Sequence, residues 1–260
     1  MASSAQAPNL NESNERPIVI SPRETHNATV IFMHGLGQRA EYWVTILQRV
    51  VDRLQGIKWI LPQAPAGPLG SSYQWRGLDA GRPSWFDITE LPPCNCHDEA
   101  GIASSVATIE NLLTREVRGG TEPNRIIVAG FGQGAALSLV TALTTLHELG
   151  GVASLSGWIP QPTRQVSSAI LLSPGVFNSS FVITEQAMLQ LEPSLPVFWA
   201  HGLADVEVPL SYAEDGTAFL RDGLNIPESN IVFKTYDGLQ HDINDTELDD
   251  FAAWLLHTLA

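Results

Sequence analysis

The chain has 260 residues, 44% of them hydrophobic and 16% charged, and its 14 basic against 28 acidic side chains give a net charge of −14. An apolar share of this size supports a real core and excludes general disorder. The negative balance repels phosphate backbones and anionic lipid surfaces, which excludes nucleic acid as the expected partner and leaves a small-molecule enzyme as the leading class.

Residues 1–17 (MASSAQAPNLNESNERP) read as a disordered tail without the apolar core of a signal peptide. Ala28 to Met33 (ATVIFM) has the length and β-branched content of a buried strand. Tyr42, Trp43, Ile46, Leu47, Val50 and Val51 then fall on one face of a helix, and Ile57 to Leu61 forms the next strand. A Pro/Gly/aromatic stretch from Pro62 to about His97 is too long for a mere connector. It carries Cys94, Cys96 and His97, which fall short of a tetrahedral zinc set and read as loop surface, so no metal is expected.

Asp98 is placed to cap a helix with the apolar stripe Ile102, Val106, Ile109 and Leu113. Arg125 to Ala129 is a strand, and Ala135 to Leu146 is a helix so apolar on all sides that it must be buried. Val152 to Leu155, Ala169 to Leu172 and Pro196 to His201 read as further strands. Pro209 opens a helix ending near Leu224, Asn230 to Tyr236 is a strand, and Leu248, Phe251, Leu255 and Leu259 mark the last helix. Strands alternating with helices predict an α/β fold with a mostly parallel central sheet covered on both faces, in one domain spanning 18–260. Residues 161–195 read as a cap or insertion within it. No apolar run reaches membrane-spanning length, so stable membrane insertion is not expected and the predicted address is cytoplasmic.

Ligands of an open α/β sheet sit at the carboxyl ends of the strands. Four such ends carry suggestive residues: His34 to Gly37, Gly130 to Gly134, His201 to Asp205, and Asp237 to His241. Gly130-Phe131-Gly132-Gln133-Gly134 has the G-x-x-x-G spacing of a nucleophile elbow, a tight strand-to-helix turn. Position 132 followed by Asp205 and His241 repeats the nucleophile–acid–base order of such hydrolases. His34 and His201 each precede a glycine at a strand end and read as structural.

These segments resemble the acyl-protein thioesterase, or phospholipase/carboxylesterase, family of α/β-hydrolases, and are similar to its fungal members. The carrying motifs are FMHGLG (Phe32 to Gly37), SWFDI (Ser84 to Ile88), GFGQGAALSL (Gly130 to Leu139), LSGWIP (Leu155 to Pro160), HGLADVEVP (His201 to Pro209) and YDGLQH (Tyr236 to His241). The resemblance implies Asp205 as triad acid, His241 as base, and the amides of Leu36 and Gln133 as oxyanion hole. It implies no cofactor, and as substrate an acylated protein, a lysophospholipid or a small ester. Trp75, Trp85, Phe86 and Trp158 then become candidates to line an acyl groove.

The chain departs from the family at the decisive position, where Gly132 stands in place of the nucleophilic serine. Glycine cannot attack a carbonyl, and losing a triad nucleophile costs on the order of a millionfold in turnover. Glycine does tolerate elbow backbone angles, so the exchange favours the fold while abolishing the attack. The expectation is a carboxylic ester or thioester hydrolase by lineage that is inactive or strongly impaired. The alternative is a non-catalytic acyl-binding protein.

Overall fold

The computed structural model describes residues 16–65, 82–88, 90–93, 98–160 and 194–260. Seven strands form one sheet in the order 1-3-2-4-5-6-7. They are β1 (Ile18–Ile20), β2 (Ala28–Met33), β3 (Ile57–Leu61), β4 (Ile126–Phe131), β5 (Gly151–Leu155), β6 (Val197–Gly202) and β7 (Ile231–Tyr236). All neighbouring pairs are parallel except β1 against β3.

The strand pattern explains the layering. Along β2 and β4, alternate side chains enter opposite cores. Ile31, Met33 and Val128 belong to one, while Val30, Phe32, Ile127 and Ala129 belong to the other. A strand buried on both faces reads as a continuous apolar run, as ATVIFM does. The first core is closed by α2 (Glu99–Arg118), α3 (Gln133–Thr144) and α4 (Leu210–Ala218), the second by α1 (Ala40–Arg53) and α5 (Asp245–Thr258). Among the described residues no helix is long and apolar enough to cross a membrane.

Three differences from the sequence reading bear on the architecture. The helix expected from Ala135 starts at Gln133, because Gly132 turns the chain directly into α3. The helix opened by Pro209 ends as α4 at Ala218 and continues as one wide turn, Phe219–Gly223. The third is β1, a strand of only three residues whose pattern is too short to register. The strand expected at Ala169 to Leu172, the 161–195 insertion up to residue 193, the Cys94, Cys96 and His97 cluster, and residues 1–15 of the tail lie outside the described residues.

Asp98 does cap α2, accepting from the Gly101 amide at 2.9 Å. Asn244 caps α5 by accepting from the Glu247 amide at 2.9 Å. That places the fully buried Glu247 carboxyl in the first turn. Desolvation pushes its pKa up to about 8, helped by the charges of Asp242 and Asp250 and opposed by the Asn244 backbone. Between about pH 4.5 and 8 the folded chain therefore holds a proton that the unfolded chain has released, so stability falls as pH rises through this window. Glu247→Gln, neutral at every pH, is expected to remove this slope. Urea titrations should show it more stable than the unaltered chain by about 3 to 5 kcal/mol near pH 8, with the difference shrinking towards pH 5.

Candidate active site

The parallel register aligns the functional loops along one edge. Met33 pairs with Gly130, Phe131 with Leu155, and Gly202 with Tyr236, so the segments after β2, β4, β6 and β7 emerge side by side. The two sharpest turns depend on close approach. A Cβ on Gly134 would collide with the Met33 carbonyl oxygen, and one on Gly130 with the Gly134 backbone. Only glycine lets α3 start this tightly against β2 and β4.

Gly132 sits between them with φ 53° and ψ −116°, a conformation L side chains rarely adopt. Its amide donates to Leu155 O at 2.9 Å and its carbonyl accepts from Ala136 N at 3.0 Å. These bonds hold the elbow although no nucleophile stands on it. A Cβ placed here would lie 3.0 Å from His241 Nε2, so the imidazole points at the position a nucleophilic side chain would occupy.

His241 Nδ1 donates to Asp205 Oδ2 at 2.7 Å. The other oxygen, Asp205 Oδ1, accepts from the amides of Glu207 at 2.9 Å and Val208 at 2.8 Å. A buried carboxylate with both oxygens engaged is fixed in orientation and fixes the imidazole in turn. His201 lies behind this pair. Its Nε2 donates to Val208 O at 2.7 Å and stands 3.6 Å from Asp205 Oδ2. Desolvation lowers the His201 pKa against the opposing pull of the Val208 carbonyl and Asp205, and the bond to Val208 O ties the ring to the loop carrying Asp205.

On the opposite side, His34 braces the loop that follows β2. Its Nδ1 donates to Gly35 O at 2.8 Å, and its Nε2 accepts from Ala64 N and Gln63 Nε2, both at 3.0 Å. Burial lowers its pKa to about 4 despite the Gly35 carbonyl and the charge of Glu41, so it too is neutral at pH 7. Gln38 Oε1 accepts from Gly35 N, and Gly37 N donates to Pro83 O, each at 2.8 Å. Leu36, the expected amide donor, is thus carried on a loop pinned on both sides.

The Gln133 side chain makes contacts that its place in the motif did not announce. Its side chain is buried; Oε1 accepts from Trp85 N at 3.0 Å and Nε2 donates to Phe86 O at 2.6 Å. Trp85 Nε1 donates to His34 O at 2.8 Å. The SWFDI segment therefore ties the elbow to the loop after β2, holding the amides of Gln133 and Leu36 in fixed relation. Gln133→Ala strips partners from Trp85 N and Phe86 O and is expected to cost about 1 to 3 kcal/mol, measurable by denaturant titration.

A cavity of about 250 Å³ opens over this constellation, and its walls include Leu36, Gln133, His241 and Trp158 together with Ile88, Leu91, Phe131 and Val208. Trp158 is thus a wall residue, whereas Trp85 and Phe86 do not line this cavity but pack in the core beneath it. Trp75 lies outside the described residues. Ile88, Leu91, Phe131 and Val208 were not singled out from the sequence, because an apolar residue after a strand looks the same whether it faces core or cavity. Among the described residues there is no group of His, Cys, Asp and Glu that could hold a metal ion.

Comparison with known proteins identifies the family. The family model described as Phospholipase/Carboxylesterase matches residues 14–259. The chain belongs to the phospholipase/carboxylesterase family. Within that family it is 32% identical over 252 residues to acyl-protein thioesterase 1 of Cryptococcus neoformans var. neoformans, covering 92% of this chain and 96% of the relative. It is 34% identical to acyl-protein thioesterase 1 of Yarrowia lipolytica, covering 91% and 94%. The crystal structure of Zea mays acyl-protein thioesterase 2 superimposes with a TM-score of 0.72 at 30% identity, covering 95% of this chain and all of the maize chain. The fold is that of an α/β-hydrolase, with the predicted mostly parallel sheet between two helical layers.

Proposed function

We propose that this family member binds the acyl group of acylated proteins in the cavity beside His241 and that its hydrolytic cycle is absent or strongly impaired. The observation that carries this reading is Gly132. It stands in elbow geometry, with the His241 imidazole 3.0 Å from its ideal Cβ position and the Asp205 contact intact. The relatives' designation as acyl-protein thioesterases supports an acylated protein over a lysophospholipid or a small ester. We take Asp205 as the acid, His241 as the base, and the Leu36 and Gln133 amides as oxyanion donors.

In this machinery a serine at 132 would give its proton to His241 Nε2 and attack the acyl carbonyl, while Asp205 orients the imidazolium. The two amides would hold the tetrahedral oxyanion, and water activated by the same His241 would release the acyl group. Gly132 removes the first step and leaves the rest in place. A fluorophosphonate probe tests this, because it reacts only with an activated nucleophile. The expected result is labelling of Gly132→Ser and none of the unaltered chain. An unreactive Gly132→Ser would refute the roles of Asp205 and His241, and efficient ester hydrolysis by the unaltered chain would refute the role of Gly132.

A further inference from the structure

His241 belongs to two cavities. One is the cavity described above, with Phe131, Trp158, Ile88 and Leu91 among its walls. The other, about 350 Å³, is walled by Gly238, Leu239, Gln240, Asp242 and Val206. Glu207, like His241, lines both. Neither wall contains a lysine or arginine among the described residues.

The chemistry of acyl transfer assigns the two spaces. A carbonyl held at the base must send its acyl chain one way and its leaving group the other, and the base must reach the leaving group to protonate it. Phe131, Trp158, Ile88 and Leu91 suit the first cavity to the acyl chain. The leaving part of the substrate then lies in the second cavity, against Glu207 and Asp242.

Glu207 is placed to discriminate. Its amide is anchored on Asp205 Oδ1, so its backbone is fixed relative to His241. Its side chain is half-buried, and no hydrogen bond or ion pair engages its carboxylate among the described residues. An unpaired, partly desolvated carboxylate on a wall without cations attracts a positive group and repels a negative one. The overall charge of −14 adds to that field.

We infer that Glu207 selects acylated peptides with a lysine or arginine beside the acylated residue. This rests on the acyl-binding reading above and adds the identity of the flanking residue. Because the unaltered chain lacks a nucleophile, intact thioesters can serve as ligands in calorimetry. The probes are a short peptide carrying S-octanoyl-cysteine flanked by lysine, its Nε-acetyl-lysine counterpart, and the same two peptides without the octanoyl group.

The lysine peptide is expected to bind about fivefold tighter than the acetyl-lysine peptide at low salt. The gap should narrow as salt is added, which tests the charge without any substitution. It should fall below about twofold in Glu207→Gln, while the gain from the octanoyl group persists. Equal binding of the two octanoyl peptides overturns the selection by charge, and so does a lysine preference that Glu207→Gln retains. Preference for octanoylcholine over its uncharged carbon isostere, with the peptides bound equally, overturns the peptide assignment. Binding indifferent to the octanoyl group overturns the acyl-cavity reading instead.

Discussion

Gly132→Ser is expected to raise ester hydrolysis by about 10⁴- to 10⁶-fold over the unaltered chain, the range set by what a triad loses with its nucleophile. On the reading proposed above, the groups that a serine would use are already positioned. His241 Nε2 faces the site, Asp205 holds Nδ1 at 2.7 Å, and the elbow geometry is formed. The gain carries a cost in stability. A side chain at φ 53° and ψ −116° is strained by about 1 to 3 kcal/mol, and its Cβ requires the imidazole to retreat by a few tenths of an ångström. The melting temperature should therefore fall by about 2 to 12 °C. Turnover of a p-nitrophenyl ester together with a thermal melt measures both. Activity without loss of stability would show that the elbow is not strained, and loss of stability without activity would refute the roles of Asp205 and His241.

In the Gly132→Ser background, Asp205→Asn should lower kcat about 10⁴-fold. The reason is local. Asp205 Oδ1 accepts two backbone amides, so an asparagine must turn its single oxygen towards Glu207 N and Val208 N. Its NH2 group then faces His241 Nδ1, which can no longer carry a proton there. The proton moves to Nε2, and the ring cannot take one from serine. The Asn side chain keeps the shape and the loop hydrogen bonds, so the melting temperature should change little while kcat collapses. A loss of less than tenfold would mean that Asp205 does not set the His241 tautomer.

Legibility in the sequence varied with the range of the interaction. The long strands announced themselves because burial on both faces requires unbroken apolar runs, as in ATVIFM and RIIVA. Asp98 at the start of α2 was legible because a cap is a contact between residues a few positions apart. The elbow was legible because its G-x-x-x-G spacing is a local pattern, although the contact that demands Gly134, with the Met33 carbonyl, comes from a distant segment. By contrast, β1 offers three residues, too few for a period, and exists because β3 has a free edge to pair with.

The sequence by itself determined the fold class, the order of the chemical residues along the chain and the absence of a nucleophile at position 132, since each depends on local pattern or residue identity. The tertiary structure decided which residues share the site. It brought Asp205 to His241, turned Gln133 into the brace between the elbow and the SWFDI segment, moved Trp85 and Phe86 into the core, and set Glu207 on the walls of two cavities. These outcomes depend on strand register and loop packing between segments far apart in sequence. Such contacts leave no periodic trace in the chain.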